Sequence, residues 1–168
     1  VRKAKTPPAA LTPQLLGALI DAHAAPLELF ARQWCDSPED VVQEAFMKLA
    51  TRRKPPDRPV SWLYRVVRNG ALTVARAARR RSRREAAAAA SRPAWFVPSN
   101  EDRIDAAAAA HALRELPVEQ RAVIVAHLWG GLTFGDAGEA VGCSSSSAHR
   151  RYVAGLQALR QKMGVTCP

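Results

Sequence analysis

The sequence predicts an all-α protein of two small helical domains joined by a flexible linker. Apolar residues return every three or four positions through most of the chain, the spacing of a helix face rather than of a strand. Proline and glycine fall at the ends of those periodic runs, where helices start and stop. Between Ser91 and Asp105 the periodicity lapses into a stretch broken by Pro93 and Pro98, which separates one helical unit from the next. The expected division is a mobile arm at 1–10, a first domain at 11–90, a linker at 91–105, a helix-turn-helix domain at 106–163 and a tail at 164–168.

The basic start carries Pro7 and Pro8, which oppose helix, and no apolar run follows that would make it a signal peptide. From Pro13 to Trp34, Leu15, Leu16, Leu19, Ile20, Leu27, Phe30 and Trp34 predict a helix interrupted or kinked near Pro26. A second start is marked by Ser37 as a cap, Pro38 in the first helical position and Asp40 where a capping box places its acid. Beyond it Val41, Val42, Ala45, Phe46 and Leu49 form the stripe to be buried. Asp40, Gln43, Glu44 and Met47 line another face at i, i+3, i+4, i+7. Dipole stabilisation accounts for acids in the first turn but not for Glu44.

After the wet turn TRRKPPDRP comes the stretch around which the chain is organised, Pro59 to Arg84. On a helical wheel Leu63, Val66, Val67, Gly70, Val74 and Ala78 gather on one side, and Arg65, Arg68, Arg76, Arg79, Arg80 and Arg83 gather opposite. No acid stands three or four residues along to neutralise the arginines; the stripe is either a solvated basic face or, the reading its single sign favours, a seat for a polyanion. Trp62 and Asn69 border the stripe, where a flat ring and an amide can meet unpaired bases; a tryptophan there can equally serve the core.

In the linker Trp95 and Phe96 read as surface anchors. Helices then resume at Ala106–Leu116 and at Val118–Trp129, the latter turning Val123, Ile124, Ala126 and Leu128 inward. Gly130 and Gly131 end that run, Thr133 and Asp136 open a short helix to Val141, and Gly142-Cys143-Ser144 turns into a last helix from Ser145 to about Met163. Two helices joined by a glycine-containing turn, the second polar and then basic at its start, outline a helix-turn-helix. Ser145, Ser146, Ser147, His149, Arg150 and Arg151 are the residues such a unit offers to a major groove, with Arg150 or His149 best suited to a base edge. Tyr152, Val153, Leu156 and Leu159 are expected to face the preceding helices.

Composition narrows the partners. With 168 residues, 48% of them hydrophobic, and a formal charge of +10, the chain suits a nucleic acid or an anionic surface. No apolar run reaches the roughly 18 residues a membrane span needs, so membrane insertion is not expected and the cytoplasm is. Cys35, Cys143 and Cys167 stand far apart, as do the four histidines, so neither disulfide, metal nor cofactor is expected. No nucleophile with a neighbouring base and no phosphate-cradling glycine loop can be assembled, so no catalytic residue is assigned and the chain is not read as an enzyme.

Taken together, these segments resemble the extracytoplasmic-function sigma factors, the small two-domain proteins that direct bacterial RNA polymerase to promoters. DSPEDVVQEAFMKL is similar to their region 2.2, PVSWLYRVVRNGALTVARAARRR to regions 2.3 and 2.4, and LPVEQRAVIVAHLWGGLTFGDAGEAVGCSSSSAHRRYVAGLQALR to region 4. The resemblance implies that Asp40, Gln43, Glu44 and Met47 dock on the clamp helices of core RNA polymerase, whose flap is a further contact. It implies that Trp62, Arg65, Arg68, Asn69, Arg76, Arg79, Arg80 and Arg83 melt and hold the minus-ten element of promoter DNA. The last-helix residues named above would read the minus-thirty-five element, and Trp95, Phe96, Glu101 and Asp102 would thread toward the polymerase cleft. An anti-sigma factor is a further partner the family allows. Gly135, Ala137 and Gly138 are smaller than the family's usual residues there, which predicts a less stable region 4, and Gly70 either loosens its helix or admits a close neighbour. The alternative is a helix-turn-helix transcription regulator that never binds polymerase, which leaves the Asp40, Gln43, Glu44 and Met47 face and the arginine stripe unexplained.

Overall fold

The computed structural model of the chain describes residues 11–84 and 103–163, with side chains over 11–81 and 109–163, and among the described residues every regular element is a helix. The arm at 1–10, the linker residues Trp95, Phe96, Glu101 and Asp102, and the tail at 164–168 lie outside the described residues, as does the side chain of Arg83.

The first helix, α1 (Pro13–Ala31), starts where the Thr12 hydroxyl accepts the Leu15 amide at 3.2 Å, with Pro13 in the first turn. It runs through Pro26 without the expected interruption. Ala22, four residues back, lies on the exposed side, where a carbonyl deprived of its amide partner can be met by water. The last turn buries Leu27, Phe30 and Ala31. α2 (Pro38–Ala50) buries the expected stripe of Val41, Val42, Ala45, Phe46 and Leu49. Its cap differs from the expected one: the Ser37 side chain makes no capping bond, because φ −121° and ψ 66° turn the residue away from the extended geometry of a side-chain cap. Pro38 at the first position, the acids Glu39 and Asp40 near the positive helix end, and an Arg32–Glu39 ion pair at 3.0 Å secure the start instead.

α3 (Pro59–Arg84) is the longest helix. Its buried residues are Leu63, Tyr64, Val67 and Ala71, a face rotated from the expected one. Val74 and Ala78 are exposed, and Val66 and Gly70 are half-buried. The helix outruns the two it packs on, so its later apolar positions have nothing to cover them, while the Tyr64 side is covered by the second domain. Gly70 does admit a close neighbour: a Cβ there would stand 3.0 Å from Val41 Cγ1, so its absence lets α2 and α3 approach. At the centre of the core Phe30 meets both Trp34 and Tyr64 edge-on, with centroids 4.9 Å apart in each pair.

The second domain comprises α4 (Arg103–Arg114), α5 (Val118–Leu128), α6 (Phe134–Val141) and α7 (Ser145–Lys162). Five consecutive α5 residues, Ala122 to Ala126, are buried, since α5 is packed by α1, α6 and α7 at once. Leu128, expected inward, is 52% exposed because it falls at the helix end past those neighbours. Both helices of the turn unit are capped at the start, as their cap-like settings predict: Thr133 accepts the Asp136 amide, and Ser144 accepts the Ser147 amide, each at 3.2 Å. Gly142 ends α6 in the left-handed region at φ 74°, where glycine carries no Cβ penalty.

On α7 the seam is made of small residues. Ala148 and Gly155 are buried, and a Cβ on Gly155 would stand 2.7 Å from Ile124 Cδ1. Val153, expected to face inward, is exposed, and Tyr152, Leu156 and Leu159 are half-buried, because the close α5–α7 approach centres on Gly155. Gly138 likewise contradicts the expectation that it weakens the unit. A Cβ there would lie 2.7 Å from the Cys143 carbonyl oxygen and 3.1 Å from the Ser144 carbonyl carbon, both rigid backbone of the turn. Gly138→Ala should therefore destabilise the chain by about 1–3 kcal/mol, overpacking outweighing a helix-propensity gain of at most about 1 kcal/mol. A lowered thermal midpoint checks this; an unchanged or raised one would show that the turn relaxes freely.

The two domains touch, α6 lying on α3 and α5 on α1. No described helix is long and apolar enough to cross a membrane.

Candidate nucleic-acid interface

Two surfaces of the first domain take shape from the burial pattern. On α2 the residues opposite Val42 and Leu49 stay in solvent: Asp40, Gln43 and Glu44 are exposed and Met47 is 60% exposed. Glu44 pairs with Lys48 one turn on, at 2.8 Å, an exposed pair of small energetic weight. Beside this face a groove of about 460 Å³ opens between α1 and α2, lined by Leu16, Ile20, Ala24, Val42, Phe46 and Met47 among others. The structure thus brings the four α2 residues together on one accessible face, next to an apolar slot.

On α3, Arg65, Asn69, Arg76, Arg79 and Arg80 are exposed along the helix. Among the described residues Arg76, Arg79 and Arg80 have no ion-pair partner, as the sequence anticipates. Trp62 is half-buried, packed against the core, and the Arg52 guanidinium lies 5.2 Å from its ring centre. It therefore divides its surface between core and solvent. Arg68 departs from the stripe. It is half-buried, its guanidinium lies over Gly142 of the second domain, and its Nε is buried with no hydrogen-bond partner among the described residues.

The start of α7 presents Ser145, Ser146, His149 and Arg150 to solvent, with Ser147 and Arg151 half-buried. Ser144, Ser147 and Arg150 form a chain: the Ser144 hydroxyl donates to Ser147 Oγ at 3.0 Å, and Arg150 donates to the same oxygen at 3.3 Å. His149 stands edge-on to Phe134, centroids 5.0 Å apart, and Phe134 in turn stacks on His127. His127 donates its Nδ1–H to the Leu132 carbonyl at 2.6 Å, fixing the tautomer. An aromatic row thus runs from α5 to the exposed start of α7, with Tyr152 against both His127 and Phe134.

Sequence reasoning missed Asp136 except as a cap. The residue is 7% exposed, and its carboxylate accepts from Thr133 at 2.6 Å and from Ser61 of α3 at 2.7 Å, while Arg58 pairs with it at 2.6 Å. Burial pushes the carboxyl up, but the hydroxyl donors and the Arg58 cation together outweigh it and hold the group below the usual aspartate range. Tyr64, also missed, is fully buried, which pushes its phenol up, and its hydroxyl has no partner among the described residues. Nothing local in the sequence marks either residue as a contact, because their neighbours stand far along the chain.

Comparison with known proteins agrees with this geometry. Residues 19–84 match the family model for Sigma-70 region 2, and residues 106–159 match that for Sigma-70, region 4. No curated protein matches the chain in sequence. Among solved structures, the co-crystal of the sigma factor RpoE with the anti-sigma factor NepR from Bartonella quintana superposes with a TM-score of 0.68 at 22% identity, covering 93% of this chain and 100% of that one. CnrH in complex with the cytosolic domain of CnrY gives a TM-score of 0.60 at 22% identity, covering 93% and 92%. Those likenesses show the fold. The two matched regions, in this order and on these helices, show the family: the chain belongs to the sigma-70 proteins, in their two-domain extracytoplasmic-function form.

Proposed function

We propose that this sigma factor docks on core RNA polymerase through Asp40, Gln43, Glu44 and Met47 of α2, holds the melted minus-ten strand along α3, and reads the minus-thirty-five duplex with the start of α7. The observation that carries the reading is the separation of the two charged faces of the first domain. An acidic and apolar face on α2 and an unneutralised arginine face on α3 let one small domain bind a protein and a polyanion at the same time.

On α3, Arg65, Arg76, Arg79 and Arg80 supply the phosphate contacts, with Asn69 and the open part of Trp62 for bases. On α7, Arg150 and His149 are the base readers, Ser145 and Ser146 lie beside them, and Arg151 suits a phosphate. Melting needs no catalytic group, since preferential binding of the opened strand shifts the equilibrium, so the chain works without enzymatic chemistry. Work with polymerase supports a cytoplasmic location. The RpoE structure holds an anti-sigma factor, and the apolar groove beside Met47 offers this chain a seat for an amphipathic helix of such a partner.

The test is size-exclusion co-elution with sigma-free core polymerase, wild type beside Glu44→Ala. The wild type should join the core, and the variant should do so at least about fivefold more weakly, the ~1 kcal/mol scale of an interface contact that matters. If neither associates at low salt, the chain is a duplex-binding regulator, which would keep its DNA affinity in both forms.

A further inference from the structure

The two side chains of α7 that best suit a base edge are aimed by different devices. Arg150 is drawn toward the turn by its 3.3 Å bond to Ser147 Oγ, which also accepts from the Ser144 hydroxyl at 3.0 Å. His149 makes no such bond among the described residues. Its imidazole is exposed and meets the ring of Phe134 edge-on, with centroids 5.0 Å apart and planes at 87°.

Phe134, the first residue of α6, is held from several sides. His127 lies nearly flat against it at 4.3 Å and 22°, and Tyr152 stands 5.3 Å away at 61°. His127 and Tyr152 also meet, at 5.0 Å, so the three rings close a triangle. The backbone leading into Phe134 is tied down as well. Leu132 accepts the His127 Nδ1–H at 2.6 Å and donates its amide to the Ala126 carbonyl at 3.1 Å, and Thr133 caps α6 through the Asp136 amide.

We infer that Phe134 is a positioning residue for promoter reading: braced by His127 and Tyr152, it fixes the His149 imidazole in the orientation that reads one base pair of the minus-thirty-five duplex. The inference rests on the reading of α7 as the minus-thirty-five helix. An exposed side chain on a helix divides its time chiefly between two χ1 wells, and a groove-reading histidine has to give up that freedom. Edge-on contact with Phe134 favours one well before DNA arrives, which lowers the ordering cost of binding. The helix itself supplies no such brace. Ser145 and Ser146, four and three residues before His149 and on its side of α7, are too short to support a ring. Phe134 has no hydrogen-bonding side-chain group, so it contributes through where it places the imidazole and not by pairing with a base. His149 stays exposed despite the contact, so its ring is steadied without being hidden.

The experiment presents holoenzyme, assembled from the full chain and core polymerase, with a pool of duplex DNA randomised across the segment that α7 meets, and sequences the bound fraction. Preference at each base pair is compared for wild type, His149→Ala, Arg150→Ala, Phe134→Leu, Phe134→Tyr and the Phe134→Leu/His149→Ala double variant, with a thermal melt of every chain. His149→Ala should flatten the preference at one base pair. Phe134→Leu should weaken that same preference about two- to tenfold, the population shift an aromatic pair supports, and leave the one set by Arg150 as it was. Phe134→Tyr, which keeps the ring, should keep the preference. The double variant should lose no more there than His149→Ala alone, since the two residues act as one unit. Equal losses at every base pair after Phe134→Leu would mean that the ring serves the fold alone. An untouched His149 preference would mean that the imidazole aims itself. Either overturns the inference. If His149→Ala flattens nothing while Arg150→Ala does, His149 is no reader and the positioning falls with the minus-thirty-five reading intact. If neither flattens any preference, that reading of α7 fails as well.

Discussion

Replacing Arg76, Arg79 and Arg80 together by alanine should weaken binding of single-stranded promoter DNA by about two orders of magnitude at low salt and flatten its salt dependence by about two units of log–log slope. Each phosphate neutralised on a single strand contributes roughly 0.7 to that slope through released counterions, so three contacts sum to about 2. The three side chains are exposed and lack described ion-pair partners, which makes the effect readable: their removal takes away no packing and breaks no internal salt bridge. Alanine also favours helix, so α3 should persist. A fluorescence-anisotropy titration repeated across a salt series measures affinity and slope together. An unchanged slope, whatever happens to affinity at one salt concentration, would mean that these arginines do not touch phosphate.

The largest effect on stability is expected from Phe30→Ala. Phe30 is fully buried at the end of α1 and meets Trp34 and Tyr64 edge-on, so its ring joins α1 to α3 and stands next to the residue on which the second domain rests. Deleting a buried phenyl ring costs about 3–5 kcal/mol through lost transfer energy and the cavity left behind. Set against a typical domain stability of about 5–15 kcal/mol, that loss should leave the first domain marginal or unfolded near body temperature. Urea denaturation followed by tryptophan fluorescence should show the shift, with Phe30→Leu losing less. A midpoint unmoved by the alanine variant would place the stabilising core elsewhere.

Local physics was legible in the sequence, and long-range physics was not. The Thr133 and Ser144 caps, the tight turn at Gly142 and the α2 stripe are set by residues within a few positions of one another, and each forms as expected. Ser37 fails as a cap because the turn before Pro38 holds it in a different backbone conformation, which composition alone does not reveal. The rotation of the α3 core face toward Tyr64 and Ala71 follows from the second domain lying on that flank. The pairings responsible, such as Ser61 with Asp136, join residues 75 positions apart and leave no periodic trace. Gly138 shows the same limit at short range. Helix propensity ranks glycine low, but the position is fixed by the backbone of a turn folded back against it. On α2 and α3 the exposed chemistry was readable because charges that the core does not use must face outward.

The 26 residues of α3 span about 39 Å at roughly 1.5 Å per residue, yet burial ends near Ala71. Its final turns are held by their own backbone hydrogen bonds while carrying Arg76, Arg79, Arg80 and Arg81 at close spacing. Mutual repulsion there taxes the coil-to-helix equilibrium, and bound phosphate lifts it. Strand capture should then be accompanied by growth of ordered helix, so that part of the heat released on binding is heat of winding, and the protein's end of the contact hardens as the DNA's end softens.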